Sequence, residues 1–467
     1  MPSPGLVTAV LAFAGMSASF MQTILIPIQG ELPELLGASR EDTAWAVTIT
    51  LLVSAICTPI SGRLGDMFGK RRVALVLLAA LVAGAVTAAL STTVTSLIIG
   101  RGLQGLGMGV IPLGISILRD TLHKERLGSA IALVSATLGV GGALGLPLSA
   151  FVTEHFDWHV LFWVAAALGT VCFALVLLVI PVSTLRNPGR IDYVGSVGLA
   201  VGLAGVLLGI SRGNEWGWTS IPTIGLLAGG VIVLLVWGGY ELRIPSPLVD
   251  LRVSARGPVL LTNLASVAMG FALFSSNIAF PQLLELPEEV GGFGLGLLPA
   301  SLMLMPSGLA MLAMSPIAGR IERRSGPKPL FVAGAAIIAA TYLAAVLLPL
   351  PAWGILVINV FVGIGIGLGY AAMPTLIMRA VPAAETGAAN GLNTLMRSLG
   401  TAVAAAAIAA VLAQSAVDVD GVSLPTADGF QLALILGLAA AVVCTVLALL
   451  IPQPRGGVEG RPSLPAD

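Results

Sequence analysis

Apolar runs of about twenty residues alternate with short polar segments along the whole chain. About 20 apolar residues in a helix cross a hydrocarbon core about 30 Å thick, and a helix pairs its backbone groups within its own segment, as lipid requires. No run of short alternating strands suggests a barrel. We therefore predict an all-α integral membrane protein of about fourteen transmembrane helices, at 6–29, 43–61, 73–92, 95–118, 127–151, 160–180, 193–211, 220–240, 258–282, 297–318, 329–348, 353–377, 388–413 and 430–451.

Composition agrees with the pattern. Hydrophobic residues make up 57% of the chain and charged residues 10%, against about 45–50% and about 25% in soluble domains. The zero net charge gives no reason to expect a nucleic-acid partner. Cys57, Cys172 and Cys444 all fall in apolar runs, so we interpret them as packing residues and expect neither a metal site nor a cofactor. Since no basic region precedes the first run, it is expected to be a retained span and not a signal peptide.

Basic residues predict the orientation. With the N-terminus inside, the inner loops and the tail hold 19 of the 23 Lys and Arg, and only Arg40 and Arg212 lie outside. Acidic residues show the opposite bias. We expect a multi-pass protein of the bacterial inner membrane with both termini cytoplasmic.

Internal similarity predicts two halves. TPISGRL at Thr58–Leu64 matches SPIAGRI at Ser315–Ile321, and GLGMGVIP at Gly105–Pro112 resembles GLGYAAMP at Gly367–Pro374. Parallel repeats of this kind belong to a large transporter class with its substrate path between the halves. The predicted boundaries are 1–180 for an N-terminal six-helix bundle, 181–257 for two extra helices with flanking loops, 258–451 for a C-terminal six-helix bundle and 452–467 for a cytoplasmic tail.

The segment GRLGDMFGKRR at Gly62–Arg72 places a carboxylate, four cations and three glycines in a predicted tight loop. A segment that only placed positive charge on the inner side of the membrane would need neither Asp66 nor the glycines. Small residues permit helices to approach closely, and a carboxylate can pair with a cation or a helix N-terminus. We predict a conformational latch formed by this loop and its imperfect copy GRIERRSGPK. Its expected residues are Gly62, Arg63, Gly65, Asp66, Gly69, Lys70, Arg71, Gly319 and Arg320.

Gly62–Arg72 resembles the signature loop of the major facilitator superfamily, and four further segments resemble motifs of its fourteen-span drug/proton antiporter branch. These are IIGRGLQGLGMG at Ile98–Gly109, GVGGALGLP at Gly139–Pro147, DWHVLFWVAAALG at Asp157–Gly169 and NGLNTLMRSLG at Asn390–Gly400. The resemblance implies two bundles that alternate in access and a functional role for Arg101. It also implies a hinge in the fifth span at Gly141, Gly145 and Pro147, for which close helix packing is the simpler interpretation.

Two departures from the family pattern bear on proton coupling. Met21 stands where the family carries an Asp in the first span, and Leu146 separates the Gly-Pro pair of the fifth-span motif. Coupling is assigned to Arg101, Gln104 and Asp66. An arginine within a span is costly unless it faces protein or water, so Arg101 either relays protons beside a carboxylate or is bound structurally by backbone carbonyls.

Polar side chains within spans are candidates for a substrate cavity, with interhelical hydrogen bonding as the alternative. Asn390, Asn393 and Arg397 share one helical face. The full predicted set is Gln22, Asn263, Asn277, Gln282, Asn359, Asn390, Asn393 and Arg397.

These observations predict a monomeric secondary active exporter of lipophilic or amphipathic small molecules, of the multidrug efflux type. We expect its transport to be coupled to protons and the protein to be surrounded by membrane lipids. The alternatives are a facilitator or a dedicated exporter of an endogenous metabolite, natural product or lipid, and a non-transporting membrane receptor. An enzyme is not expected, because no His, Cys or carboxylate cluster lies within the spans.

Overall fold

The computed structural model describes residues 3–26, 28–29, 31–182, 191–419 and 422–452. The expected tail from residue 453 onward, and Arg186 and Arg190 of the loop before the extra helices, lie outside the described residues. The helices are α1 Pro4–Thr23, α2 Leu32–Leu36, α3 Arg40–Phe68, α4 Lys70–Ala89, α5 Val94–Gly107, α6 Val110–Thr121, α7 Lys124–His155, α8 His159–Val179, α9 Tyr193–Trp216, α10 Ile221–Glu241, α11 Leu251–Ser254, α12 Gly257–Glu285, α13 Leu297–Ser325, α14 Pro327–Leu347, α15 Ala352–Ala380, α16 Thr386–Gln414 and α17 Ala427–Leu450.

Within these described residues, 14 helices are long and apolar enough to cross a membrane, with α5 and α6 together forming the fourth. The predicted all-helical membrane fold is confirmed. One antiparallel hairpin, β1 Ala416–Val419 with β2 Val422–Pro425, lies between α16 and α17. This hairpin was not predicted, although apolar and polar residues alternate on both sides of the Asp-Gly pair at 420–421, a pattern typical of a two-residue hairpin turn.

Helices of the two halves pack in the same pairs. In the first half α1 packs on α7 and α8, α4 on α5 and α8, and α3 on α5; in the second half α12 packs on α16 and α17, α14 on α15 and α17, and α13 on α15. The halves meet mainly where α3 packs on α16 and α7 packs on α13, and α7 with α15 and α6 with α16 also touch. The inserted helices α9 and α10 pack on each other, and α9 also touches both α3 and α16.

The predicted loop at Gly62–Arg72 is wrong in one respect, because it is almost entirely helical. α3 continues through Arg63 and Asp66 to Phe68, and α4 begins at Lys70. Gly69 alone, with φ 102°, reverses the chain between the two helices. Glycine adopts this backbone conformation without the steric cost that other residues meet. Gly326, with φ 83° between α13 and α14, repeats this one-residue turn. We call the end of the molecule that carries both turns the Arg-rich end.

The first span also ends earlier than predicted. α1 stops at Thr23, followed by irregular turns, although the apolar run continues to Ile28. This early end leaves carbonyl groups of the last turn of α1 without partners inside the helix.

Candidate functional site: a latch between the bundles

Asp66 of α3 is the central residue of the latch. Its side chain is buried, with 1% of the residue exposed, and it reaches the other half of the molecule. Oδ1 accepts a hydrogen bond from Gly387 N at 3.2 Å and Oδ2 accepts one from Ala388 N at 2.9 Å. These amides belong to the first turn of α16, whose own N-cap residue, Glu385, provides no side-chain cap. Asp66 therefore caps a helix of the opposite bundle, where the helix dipole favours a negative charge.

Glycines allow α3 and α16 to come into backbone contact beside Asp66. A Cβ added to Gly62 would overlap the carbonyl oxygen of Gly387, and one added to Gly391 would lie 2.9 Å from Thr58 O. Small residues at such positions let membrane helices approach until their backbones touch. The predicted role of Gly62 thus has a direct geometric basis, whereas Gly65 packs within its own bundle against Leu113.

Two further cations support the latch. Lys70, only 1% exposed, places Nζ 2.7 Å from Asp120 Oδ2 and 3.8 Å from Asp66 Oδ1. Arg119 crosses to the other half, where it donates to Thr386 Oγ1 at 3.3 Å and to Val381 O at 3.4 Å. Asp120 was not predicted as part of the latch, although its position beside Arg119 at the end of the fourth span was the available signal.

Other predicted latch residues have different surroundings. Arg71 donates to Leu177 O of α8 and so stays within its own bundle. Arg63 lines a cavity of about 200 Å³ at the Arg-rich end, together with the segment Pro245–Asp250 and the first turns of α16.

The repeat-related contact joins α13 to α7. A Cβ on Gly319 would lie 2.8 Å from Ser129 Cα, which corresponds to the packing of Gly62. Arg320 is exposed, whereas Glu322, which was not predicted, is 5% exposed and faces Gly128 of α7. Glu322 lies one residue from the position that corresponds to Asp66 in the second copy of the repeat. An alignment of the two copies therefore does not pair the two carboxylates.

Arg101 is 1% exposed and binds oxygens of its own bundle. It donates to Met21 O at 2.8 Å, Ala46 O at 3.2 Å and Gln104 Oε1 at 2.9 Å. No ion pair to Arg101 occurs among the described residues. The contacts correspond to the structural interpretation, in which backbone carbonyls bind the arginine. The Met21 side chain points elsewhere, toward Gly169 of α8.

The predicted cavity residues fall into two groups. Asn393 donates to Asn263 Oδ1 at 3.0 Å and to Ser266 Oγ at 2.7 Å, and Asn359 donates to Leu304 O at 3.2 Å. These contacts of Asn393 and Asn359 are the interhelical hydrogen bonds that were the alternative to a cavity. Asn390 instead donates to Thr386 O within its own helix.

The second group has accessible side chains. Asn277 and Gln282 of α12 are exposed, and Gln22 of α1 is half-buried. All three lie toward the end of the molecule opposite the Arg-rich end. Arg397 is also half-buried, with Cζ 4.4 Å from the centroid of the Tyr370 ring, a cation–π contact.

Comparison with known proteins decides the family. A profile described as Major Facilitator Superfamily matches residues 11–405. The chain belongs to the major facilitator superfamily. It is 26% identical to an uncharacterized MFS-type transporter, YcnB, of Bacillus subtilis (strain 168), over 98% of this chain and 97% of that protein. It is 27% identical to the lincomycin resistance protein LmrB of Listeria monocytogenes, over 96% of this chain and 97% of that protein.

Among solved structures, the crystal structure of the human organic anion transporter MFSD10 (TETRAN) superposes with a TM-score of 0.68 at 14% identity, over 97% of this chain and 100% of that chain. That likeness confirms the fold. Membership of the superfamily also confirms that the chain is a transporter and not an enzyme.

The superfamily's fifth-span motif has a packing role here. A Cβ on Gly141 would overlap Met16 O of α1, and one on Gly145 would overlap Thr23 Oγ1. Pro147 is buried within an uninterrupted α7. The glycines therefore bring α7 close to α1 inside the first bundle, and a hinge at this position remains a prediction.

Proposed function

We propose that the chain is a secondary active exporter of lipophilic or amphipathic small molecules that works by alternating access in a bacterial inner membrane. The observation that carries this proposal is the capping of α16 by Asp66. Because the carboxylate and the helix it caps belong to different halves, the contact exists only while those halves are together at the Arg-rich end. A contact of this kind stabilises one of the two conformations between which an alternating-access transporter moves.

The distribution of Lys and Arg supports placing the Arg-rich end in the cytoplasm. The described conformation is then closed to the cytoplasm. Gln22 of α1 and Asn277 and Gln282 of α12 lie on repeat-related helices toward the opposite end, and their accessibility supports a mouth that opens outward. Export as the direction and a drug-like cargo draw support from the similarity to LmrB, which is named a lincomycin resistance protein.

Proton coupling is the proposed driving force, with Asp66 as the candidate titrating group. A proton on Asp66 would remove the negative charge that binds the first turn of α16 and so would favour opening of the latch. Each charge that moves down the membrane potential supplies about 2.3 kcal/mol per 100 mV, which is enough to drive uphill export.

One observation favours a second candidate, a facilitator or a dedicated exporter of an endogenous compound. Arg101 bonds to carbonyl and amide oxygens and has no carboxylate partner among the described residues. A proton relay through Arg101 therefore has no acceptor there.

Proteoliposomes separate these candidates. Purified protein is reconstituted with an imposed pH gradient, and uptake of labelled lincomycin and of ethidium is measured with and without nigericin, which dissipates the gradient. We expect accumulation above protein-free liposomes, loss of accumulation with nigericin, and loss of transport in Asp66→Asn. Accumulation of neither probe would contradict the proposed substrate class, and uptake that nigericin leaves unchanged would identify a facilitator. Asp157→Asn is the matched control, because Asp157 accepts a hydrogen bond at the start of α8 within a single bundle.

A further inference from the structure

Two carboxyl groups of the inserted helices meet at the Arg-rich end. Asp192 precedes α9 and caps it, with Oδ1 accepting from Gly195 N at 2.7 Å, and the hydroxyl of Tyr240 donates to the same oxygen at 3.2 Å. Glu241 is the last residue of α10 and is only 2% exposed. Its Oε2 accepts from Val249 N at 3.4 Å. One oxygen of each carboxyl group thus has a donor.

The other two oxygens, Asp192 Oδ2 and Glu241 Oε1, are buried and have no hydrogen-bond partner among the described residues. They also converge, because a Cβ added to Gly195 would overlap both of them. Glycine at this position leaves the small space in which the two oxygens face each other. Buried acceptors without a donor are rare in folded proteins and call for an explanation.

The charged residues that the structure describes nearby do not provide that explanation. Neither carboxylate forms an ion pair with a described cation. Asp250 caps α11, Arg252 donates to Leu242 O, and Arg243 is exposed. Arg63 of α3 lies on the wall of the adjoining cavity. Glu241 is buried and Asp192 is half-buried, and two carboxylates whose buried oxygens face each other repel when both are ionised.

We propose that Asp192 and Glu241 share one proton between Oδ2 and Oε1, and that this proton-binding site fixes the inserted helix pair at the Arg-rich end. A single proton supplies the missing donor and removes one of the two charges. A proton fits better than a metal ion, since no group of three or more potential His, Cys, Asp or Glu ligands occurs among the described residues and Ca²⁺ takes six to eight oxygens.

The site adjoins the latch through the segment that Glu241 holds. Val249 belongs to the stretch Pro245–Asp250, which lines the cavity of about 200 Å³ together with Arg63 and Ala388. Ala388 is one of the two residues whose amides bind Asp66. Loss of the proton leaves two facing carboxylates, which repel each other and loosen this segment beside the latch. The site is separate from the proposed transport function, because it does not depend on the cargo.

Infrared difference spectroscopy of the full chain in lipid nanodiscs tests the site directly. A protonated carboxyl group has a carbonyl stretching band that an ionised group lacks. We expect a band in acidic buffer that disappears as the pH is raised. It should be absent from Glu241→Gln, whose amide donates to Asp192 permanently. In Asp192→Asn, which removes the neighbouring charge, the band should titrate at lower pH. The exposed Glu288→Gln is the matched control and should keep the wild-type spectrum.

Several outcomes would overturn the proposal. A spectrum of Glu241→Gln identical to wild type at every pH would show that the band belongs to another carboxyl group. Displacement of the band by Na⁺, Mg²⁺ or Ca²⁺ in wild type but not in Glu241→Gln would identify a cation site instead.

Thermal unfolding gives an independent readout. The stability that the shared proton provides is present at low pH and is lost as the pH rises, so the midpoint should fall with pH in wild type more than in Glu241→Gln. Equal pH profiles would contradict the shared proton even if no transport were measurable.

Discussion

Replacing Asp66 by Asn tests whether the latch holds the two bundles together. The substitution preserves size and removes the charge. Asp66 accepts two backbone hydrogen bonds at 3.2 and 2.9 Å in a buried site. The Asn side chain has one acceptor oxygen, so one of these bonds is lost and an NH₂ group then faces a backbone N–H.

The magnitude follows from these contacts. Loss of a hydrogen bond to a charged group costs about 1.5–3 kcal/mol, and loss of a negative charge at a partly buried helix N-terminus costs up to about 2 kcal/mol. The conformation closed at the Arg-rich end should therefore lose about 3 kcal/mol relative to the open one, which lowers the ratio of closed to open molecules about 150-fold. Lys70 limits any further loss of stability, because its ion pair with Asp120, with Nζ and Oδ2 2.7 Å apart, remains in the variant.

Pulsed electron paramagnetic resonance measures this shift as a distance. Spin labels are attached at Arg72→Cys on α4 and Arg379→Cys on α15, both exposed residues at the Arg-rich end, after replacement of the three native cysteines. Wild type should give mainly a short distance, and Asp66→Asn should transfer most of the population to a longer one. The matched variant Asp157→Asn should keep the wild-type distribution. If Asp66→Asn also keeps it, Asp66 does not hold the bundles together and the proposed latch is wrong.

Four further substitutions test separate contacts. Gly62→Ala places a methyl group against Gly387 O and should lengthen the same distance with the charge of the latch intact; an unchanged distance distribution would contradict the backbone contact. Arg101→Leu leaves buried carbonyls unpaired at about 1–3 kcal/mol each, so the thermal midpoint should fall while the latch distance stays unchanged; a wild-type midpoint would argue against the structural role. Asn393→Ala should cost about 1 kcal/mol of stability with an unchanged KM for a transported probe, whereas Asn277→Ala should change KM and leave stability unaltered; the reverse pattern would restore Asn393 to the cavity.

Much of the fold was predictable because lipid excludes charges from apolar runs. Long runs without charge fixed the number of spans, and the copied segment at Gly319 revealed the two halves. Asp66 was predictable for a different reason, because the positive-inside rule does not require a carboxylate in a basic segment. The partner itself, the first turn of α16, could not be predicted, because a backbone amide has no signature in the sequence.

The error at the signature segment has a clear physical cause. A cluster of charges and glycines predicts a loop, but a helix that extends beyond the apolar region can carry charges on its final turns. Gly69 alone reverses the chain, so Arg63 and Asp66 lie on the rigid end of α3 and not on a flexible connection. A carboxylate fixed in this way can bind a helix terminus in another bundle with defined geometry.

Arg101 shows why an expected carboxylate can be absent. α1 ends at Thr23, so the carbonyl of Met21 has no amide of its own helix to accept. Arg101 fills that position at 2.8 Å and places a positive charge at a helix C-terminus, where the dipole favours it. The sequence could not reveal this arrangement, because the apolar run continues past the end of the helix.

Asp66 and Arg101 therefore use the same physical principle with opposite consequences. Each buried charge binds backbone groups that a helix end leaves unpaired, an N-terminus for Asp66 and a C-terminus for Arg101. The helix that Arg101 binds lies in its own bundle, so movement of one bundle against the other leaves this contact intact. The helix that Asp66 binds lies in the opposite bundle, so opening at the Arg-rich end must break the contact and leave the carboxylate without its backbone donors. Of these two buried charges, only Asp66 must lose its partners when the bundles separate, and a proton bound at that moment would stabilise the open state.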